Sequence, residues 1–100
     1  MEEYNVRISA TAQNDFMELA KGLATLSYEE ELQYYDDIIE STKVLLTAPD
    51  TCPFAKDSQL RLRRYRLLNV HNYTYFFVIS GTTVEIRRIL HSKRQYERIL

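Results

Sequence analysis

The stretch EIRRILHSKRQY, residues 85–96, gathers side chains suited to chemistry on an anion. His91 and Tyr96 are groups that can carry protons in a reaction. Arg88 and Arg94, with Arg66 upstream, offer planar guanidinium forks that match two oxygens of a phosphate or carboxylate, and Lys93 adds a point charge. Arg61 and Arg63 extend the cationic set toward the middle of the chain. Each residue also has a plain structural use. His91 can be a hydrogen-bonded residue at a strand end, Tyr96 can pack a terminal helix, and Arg66 can pair with an acid of a neighbouring helix. Cys52 is the only cysteine, which excludes an internal disulfide framework and any zinc cluster built on several thiolates. With no glycine-rich phosphate loop either, no metal and no cofactor is expected.

The formal net charge of −1 conceals a strong asymmetry. Residues 1–50 hold 3 Lys/Arg against 11 Asp/Glu, a net of −8, whereas residues 51–100 hold 10 against 3, a net of +7. Segregation of this kind points to an anionic partner for the basic half, since exposed ion pairs within the fold are too weak to require it.

The elements that must position these charges can be read from periodicity. One hundred residues, 45% of them apolar, suit a single domain over residues 1–100. The longest apolar run, YFFVI at 75–79, is too short to cross a bilayer, and the acidic start MEEYNVR is unlike a signal peptide, so a cytoplasmic location is expected. YNVRIS (4–9) alternates as a strand does. Ser9 can cap a helix over 10–25 with Ala12, Phe16, Leu19, Ala20 and Leu23 on one stripe. SYEE (27–30) forms a capping box for a second helix, whose stripe of Tyr28, Leu32, Tyr35, Ile39, Thr42 and Leu46 is expected to face the core. Pro49 marks the stop, and APDTCPFAKD (48–57) reads as a loop. Strands are expected at 60–70, 73–80 and 82–90, joined by turns at His71–Asn72 and Gly81, with a short terminal helix at 92–99.

The fold expected is therefore α+β, in the order β-α-α-β-β-β, with two helices on one face of a small, mainly antiparallel four-stranded sheet. The opposite face would stay open and carry the arginines. Strand 82–90 mixes charge and apolar residues at both parities, which calls for a bulge near Arg87 and Arg88.

This element order, with YRLLNVHNY (65–73) ahead of an aromatic strand and VEIRRILHSKRQYERIL (84–100) at the end, resembles the RelE/ParE superfamily of toxins from type II toxin–antitoxin pairs. The resemblance spans nearly the whole chain. It implies a small cytoplasmic toxin neutralised by a cognate antitoxin, whose acidic or amphipathic segment would meet Arg61, Arg63, Arg88 or Arg94. Two activities are implied by its two branches. RelE-like members cut messenger RNA on the ribosome; ParE-like members bind and inhibit DNA gyrase. The tail pattern favours the ParE-like branch and a binding role for Arg61, Arg63, Arg88, Lys93 and Arg94.

The nuclease alternative would need a base for the 2′-hydroxyl, an acid for the leaving oxygen and cations on the phosphate. His91, Tyr96 and Arg66 would fill those roles. Thr74 stands where active nucleases of the superfamily often carry an arginine, which weighs against cleavage. Whether the chain is an enzyme, or an inert relative that binds only its antitoxin, stays open at this stage.

Overall fold

The computed structural model describes residues 3–92. The chain runs through β1 (Asn5–Ile8), α1 (Ala10–Leu23), α2 (Tyr28–Thr47), a 3-10 turn (Pro49–Thr51), α3 (Ser58–Leu62), β2 (Arg66–Val70), β3 (Tyr73–Ser80) and β4 (Thr83–His91). The four strands form one sheet in the order β1-β4-β3-β2. β1 lies parallel to β4, and the other two pairings are antiparallel. The α+β architecture expected from the sequence is therefore present, while the terminal helix expected at 92–99 falls outside the described residues apart from Ser92.

Both long helices start where the sequence places a cap. The Ser9 hydroxyl accepts the Ala12 N–H at 3.1 Å, and the Ser27 hydroxyl accepts the Glu30 N–H at 3.2 Å. The Glu30 carboxylate closes this second cap by accepting the Ser27 hydroxyl at 2.9 Å, in place of the backbone N–H of a regular capping box. α1 buries Ala12, Leu19 and Leu23, most of its expected stripe.

α2 departs from expectation. It buries Tyr34, Ser41 and Leu45, with Ile38 half-buried beside them, and turns Tyr28, Leu32, Tyr35, Ile39 and Leu46 outward. The two rows lie one residue apart, about 100° around the helix. The sheet can cover only one of them. Ser41 fits the inner row because it is small and its hydroxyl donates to the Ile38 carbonyl at 2.7 Å, so a polar residue stands in a core position.

A second correction concerns residues 60–70, which do not form one strand. Asp57 accepts the Leu60 N–H at 3.0 Å and starts the single-turn helix α3; Arg64, at φ 61°, ends that segment before β2 begins at Arg66. Leu60 is thereby buried against the sheet.

The main core lies between the long helices and the sheet, where Leu19, Leu23, Tyr34 and Leu45 meet Tyr75, Phe77, Val84, Ile86 and Ile89. The other side of the sheet is not bare. Ala55, Leu60 and Tyr65 fold over Phe76 and Leu90 to make a smaller second core. The loop and α3 therefore cover surface that two helices alone would have left to the arginines.

The bulge expected in the last strand is present. Phe76 pairs with Arg88 and Phe77 with Ile86, which leaves Arg87 as the extra residue on β4. α1 takes up the displaced backbone groups: the Ser9 N–H donates to the Ile86 carbonyl at 2.9 Å, and the Ser9 hydroxyl donates to the Arg87 carbonyl at 3.1 Å.

Candidate functional site

The bulge sends the two adjacent arginines to different fates. Arg88 reaches back under α1, where Nε donates to Asp15 Oδ2 at 2.7 Å and Nη2 to Oδ1 at 3.1 Å. Asp15 also accepts the Ile89 N–H at 3.0 Å. Both side chains are more than four-fifths buried. Arg88 is therefore held by Asp15 inside the fold and does not lie on the open face where the sequence placed it.

Arg87 stays exposed on the side of the second core. Its guanidinium lies 5.6 Å from the Tyr65 ring centroid, and Nε donates to Glu85 at 2.8 Å. Hydrogen bonds donated to Glu85 and then Tyr65 push its pKa up, so its charge is secure.

Around that second core runs a cationic rim of Lys56, Arg61, Arg63, Arg64 and Arg87, all exposed. Arg61 is partly fixed: Nε donates to the Ala55 carbonyl at 3.2 Å and Nη2 to the Lys56 carbonyl at 3.3 Å. Phe54 stands between two hollows. One, of about 330 Å³, is lined by Phe54, Arg61, Leu62 and Arg64. The other, of about 600 Å³, is lined by Phe54, Lys56, Leu67, Asn69, Thr74 and Ser92 among others. On its wall the Thr74 hydroxyl donates to Asn69 Oδ1 at 3.0 Å and lies 3.2 Å from Ser92 Oγ. Thr74 is thus a neutral, buried anchor for the end of β4.

Of the residues assigned to proton transfer and phosphate neutralisation, the described pair His91 and Arg66 do not come together. Arg66 Nη1 donates to the carbonyls of Cys52 at 2.7 Å and Asp50 at 3.1 Å, and its guanidinium carbon sits 3.9 Å from the Phe54 ring centroid. That arginine ties the loop to β2, a structural role, with loop carbonyls in place of the helix acid. His91 packs edge-on against Tyr73 at 5.4 Å between ring centroids, half-buried on the helix-covered side. Arg66 and the Val70–Tyr73–His91 row are four β2 residues apart, a separation of about 13 Å along the strand. Lys93, Arg94 and Tyr96 lie outside the described residues. Cys52 is buried, and burial pushes its thiol pKa up, which keeps it protonated and unreactive.

Over residues 6–96 the sequence matches the family described as ParE toxin of type II toxin-antitoxin system, parDE. The chain belongs to this ParE toxin family. A chain in the solved structure of a chromosomal ParDE toxin–antitoxin system from P. aeruginosa shares the fold, with a TM-score of 0.65 at 17% identity over 90% of this chain and 97% of that one. No curated protein matches the sequence.

Two features of this ParE toxin escaped the sequence reading. Lys56, Arg64 and Arg87 joined the cationic rim unannounced, because their placement depends on the α3 turn and on which residue of the bulge is extruded. The outward row of α2 was mistaken for core, because its large apolar residues outweigh the Tyr34, Ile38, Ser41 and Leu45 row that is buried.

Proposed function

We propose that this ParE toxin inhibits growth by binding a protein target, DNA gyrase, through the cationic rim of Lys56, Arg61, Arg63, Arg64 and Arg87 around its second core. One observation carries the reading. Arg66 is held by loop carbonyls, and its strand position lies about 13 Å from the row of His91. A general base needs to stand within hydrogen-bond reach of the proton it removes, and cations must sit beside the same phosphate. A surface on which Arg66 and His91 stand this far apart suits docking better than cleavage. The hollows on either side of Phe54, one lined by Arg61 and Arg64 and the other by Lys56 among apolar and neutral residues, fit a partner with carboxylates set near apolar anchors.

The partner that neutralises the toxin is a cognate antitoxin, as in the ParDE system. Its acidic segment would meet the same rim, so antitoxin and target would compete for one surface. Arg88 drops out of that contact because Asp15 already holds it. The setting is the cytoplasm, where such a target resides; among the described residues no helix is long and apolar enough to cross a membrane.

The deciding experiment measures gyrase-dependent supercoiling and transcript integrity side by side on induction. Loss of supercoiling with intact transcripts is expected. Rapid transcript cutting at codon-related positions, abolished by His91→Ala, would replace this reading with ribosome-dependent messenger RNA cleavage.

A further inference from the structure

The outward face of α2 lies on the opposite side of the sheet from the cationic rim and has no counterpart in the core. Tyr28 is 75% exposed, Leu32 46%, Tyr35 47%, Ile39 54% and Leu46 37%. Scattered exposed apolar residues are ordinary. These are not scattered. Their spacings of four, three, four and seven residues trace one straight seam, with only Thr42 interrupting, over about 27 Å of helix. A repeat of this kind is the pattern by which one helix accepts another.

The charges beside the seam say what kind of helix. α2 carries six carboxylates, Glu29, Glu30, Glu31, Asp36, Asp37 and Glu40, against the single cation Lys43. Lys43 is already paired with Glu40 at 3.2 Å, and Asp37 with His71 at 3.0 Å. Glu29, Glu31 and Asp36 border the seam directly, as does Lys43, and among the described residues none of these three carboxylates has an ion-pair partner. From this we infer that the outward face of α2 docks an amphipathic helix of a partner protein, one with apolar residues at alternating spacings of three and four and Lys or Arg on their flanks.

A second copy of this chain fits less well. Parallel packing of two α2 helices would set Glu31 against Asp36, and antiparallel packing about the Tyr35–Ile39 midpoint would set Asp36 against its own equivalent while offering Glu29 only Lys43, which Glu40 already holds. Like charges beside a helix seam oppose pairing. A basic partner meets every one of these carboxylates favourably.

The test uses the full chain and a synthetic helical peptide of about three heptads, with Leu at the seam positions and Lys on both flanks. A sibling peptide has Glu in place of Lys. Fluorescence anisotropy should show the Lys peptide binding at least about tenfold more tightly than the Glu peptide. Leu32→Asp combined with Ile39→Asp should remove that binding, while the melting temperature and the inhibition of supercoiling stay unchanged. Glu29→Lys with Glu31→Lys and Asp36→Lys should invert the peptide preference. Equal affinity for the two peptides, or binding of neither, overturns the inference. So does a dimer in light scattering that Ile39→Asp converts to monomer, since the occupant would then be a second copy. Failure here leaves the supercoiling result untouched, so the two readings stand or fall separately.

Discussion

Asp15 of α1 grips Arg88 of β4 through two hydrogen bonds of 2.7 and 3.1 Å, and the same carboxylate accepts the Ile89 N–H beyond the bulge. One acid thus satisfies both the arginine and a displaced backbone group. Removing one member of a buried pair leaves the other charge without its partner. With side chains 14% and 17% exposed, Asp15→Ala should cost about 2–4 kcal/mol in chemical denaturation. Combining Asp15→Leu with Arg88→Met should recover only part of that loss, because the Ile89 N–H still lacks its acceptor. If Asp15→Ala melts like the parent, the pair does not hold the bulge.

The cover on the second face makes a contrasting pair of neighbours on α3. Leu60 is 2% exposed and Leu62 is 78% exposed. Leu60→Ala should lower stability by about 2–4 kcal/mol, whereas Leu62→Ala should change it by less than about 0.5 kcal/mol. Equal effects from both would mean that α3 does not cap the sheet.

Tyr34 is 3% exposed, and among the described residues its hydroxyl has no hydrogen-bond partner. A buried, unsatisfied hydroxyl is costly, so Tyr34→Phe should be neutral or stabilising by up to about 1 kcal/mol. Burial raises the pKa of both Tyr34 and Tyr75. The folded state therefore favours the neutral phenols. Their contribution is intact below the unfolded value near pH 10 and declines as the pH rises above it, toward the folded values. Melting temperatures recorded from pH 8 to 11 should fall at the alkaline end, and Tyr34→Phe should flatten part of that fall.

Charge reversal on the cationic rim tests the docking surface directly. Lys56→Glu with Arg64→Glu should weaken target binding by about tenfold or more at low salt, with the deficit shrinking as ionic strength rises. His91→Ala should leave both supercoiling inhibition and transcripts as they are. Unaltered binding by the double reversal would move the working surface elsewhere.

Element order and bulge were legible in the residues because each has a local signature. Ser9 and Ser27 announce helix starts, and mixed parity around Arg87–Arg88 announces an extra residue. The fate of each arginine was not legible. Nothing near Arg88 in sequence reveals Asp15, 73 residues away, and Arg66 finds carbonyls in a loop whose path depends on two prolines. α2 misled for a different reason. Two apolar rows share the helical period, and deciding which one the sheet covers requires the tertiary packing of Tyr34 and Ser41. Leu60 and Leu62 alternate with arginines as a strand would, yet Asp57 and the left-handed Arg64 impose a helical turn there instead.

The parallel pairing of β1 with β4 joins Asn5 to Thr83 and Ile8 to Ile86. During synthesis the first strand must wait, with its outward-facing polar groups hydrated, until the last strand has left the ribosome. Sequence-distant closure of this kind is slow compared with helix formation. Completion of the sheet thus comes after both long helices can form, which leaves an interval before the finished toxin in which a partner already present can engage the helices first.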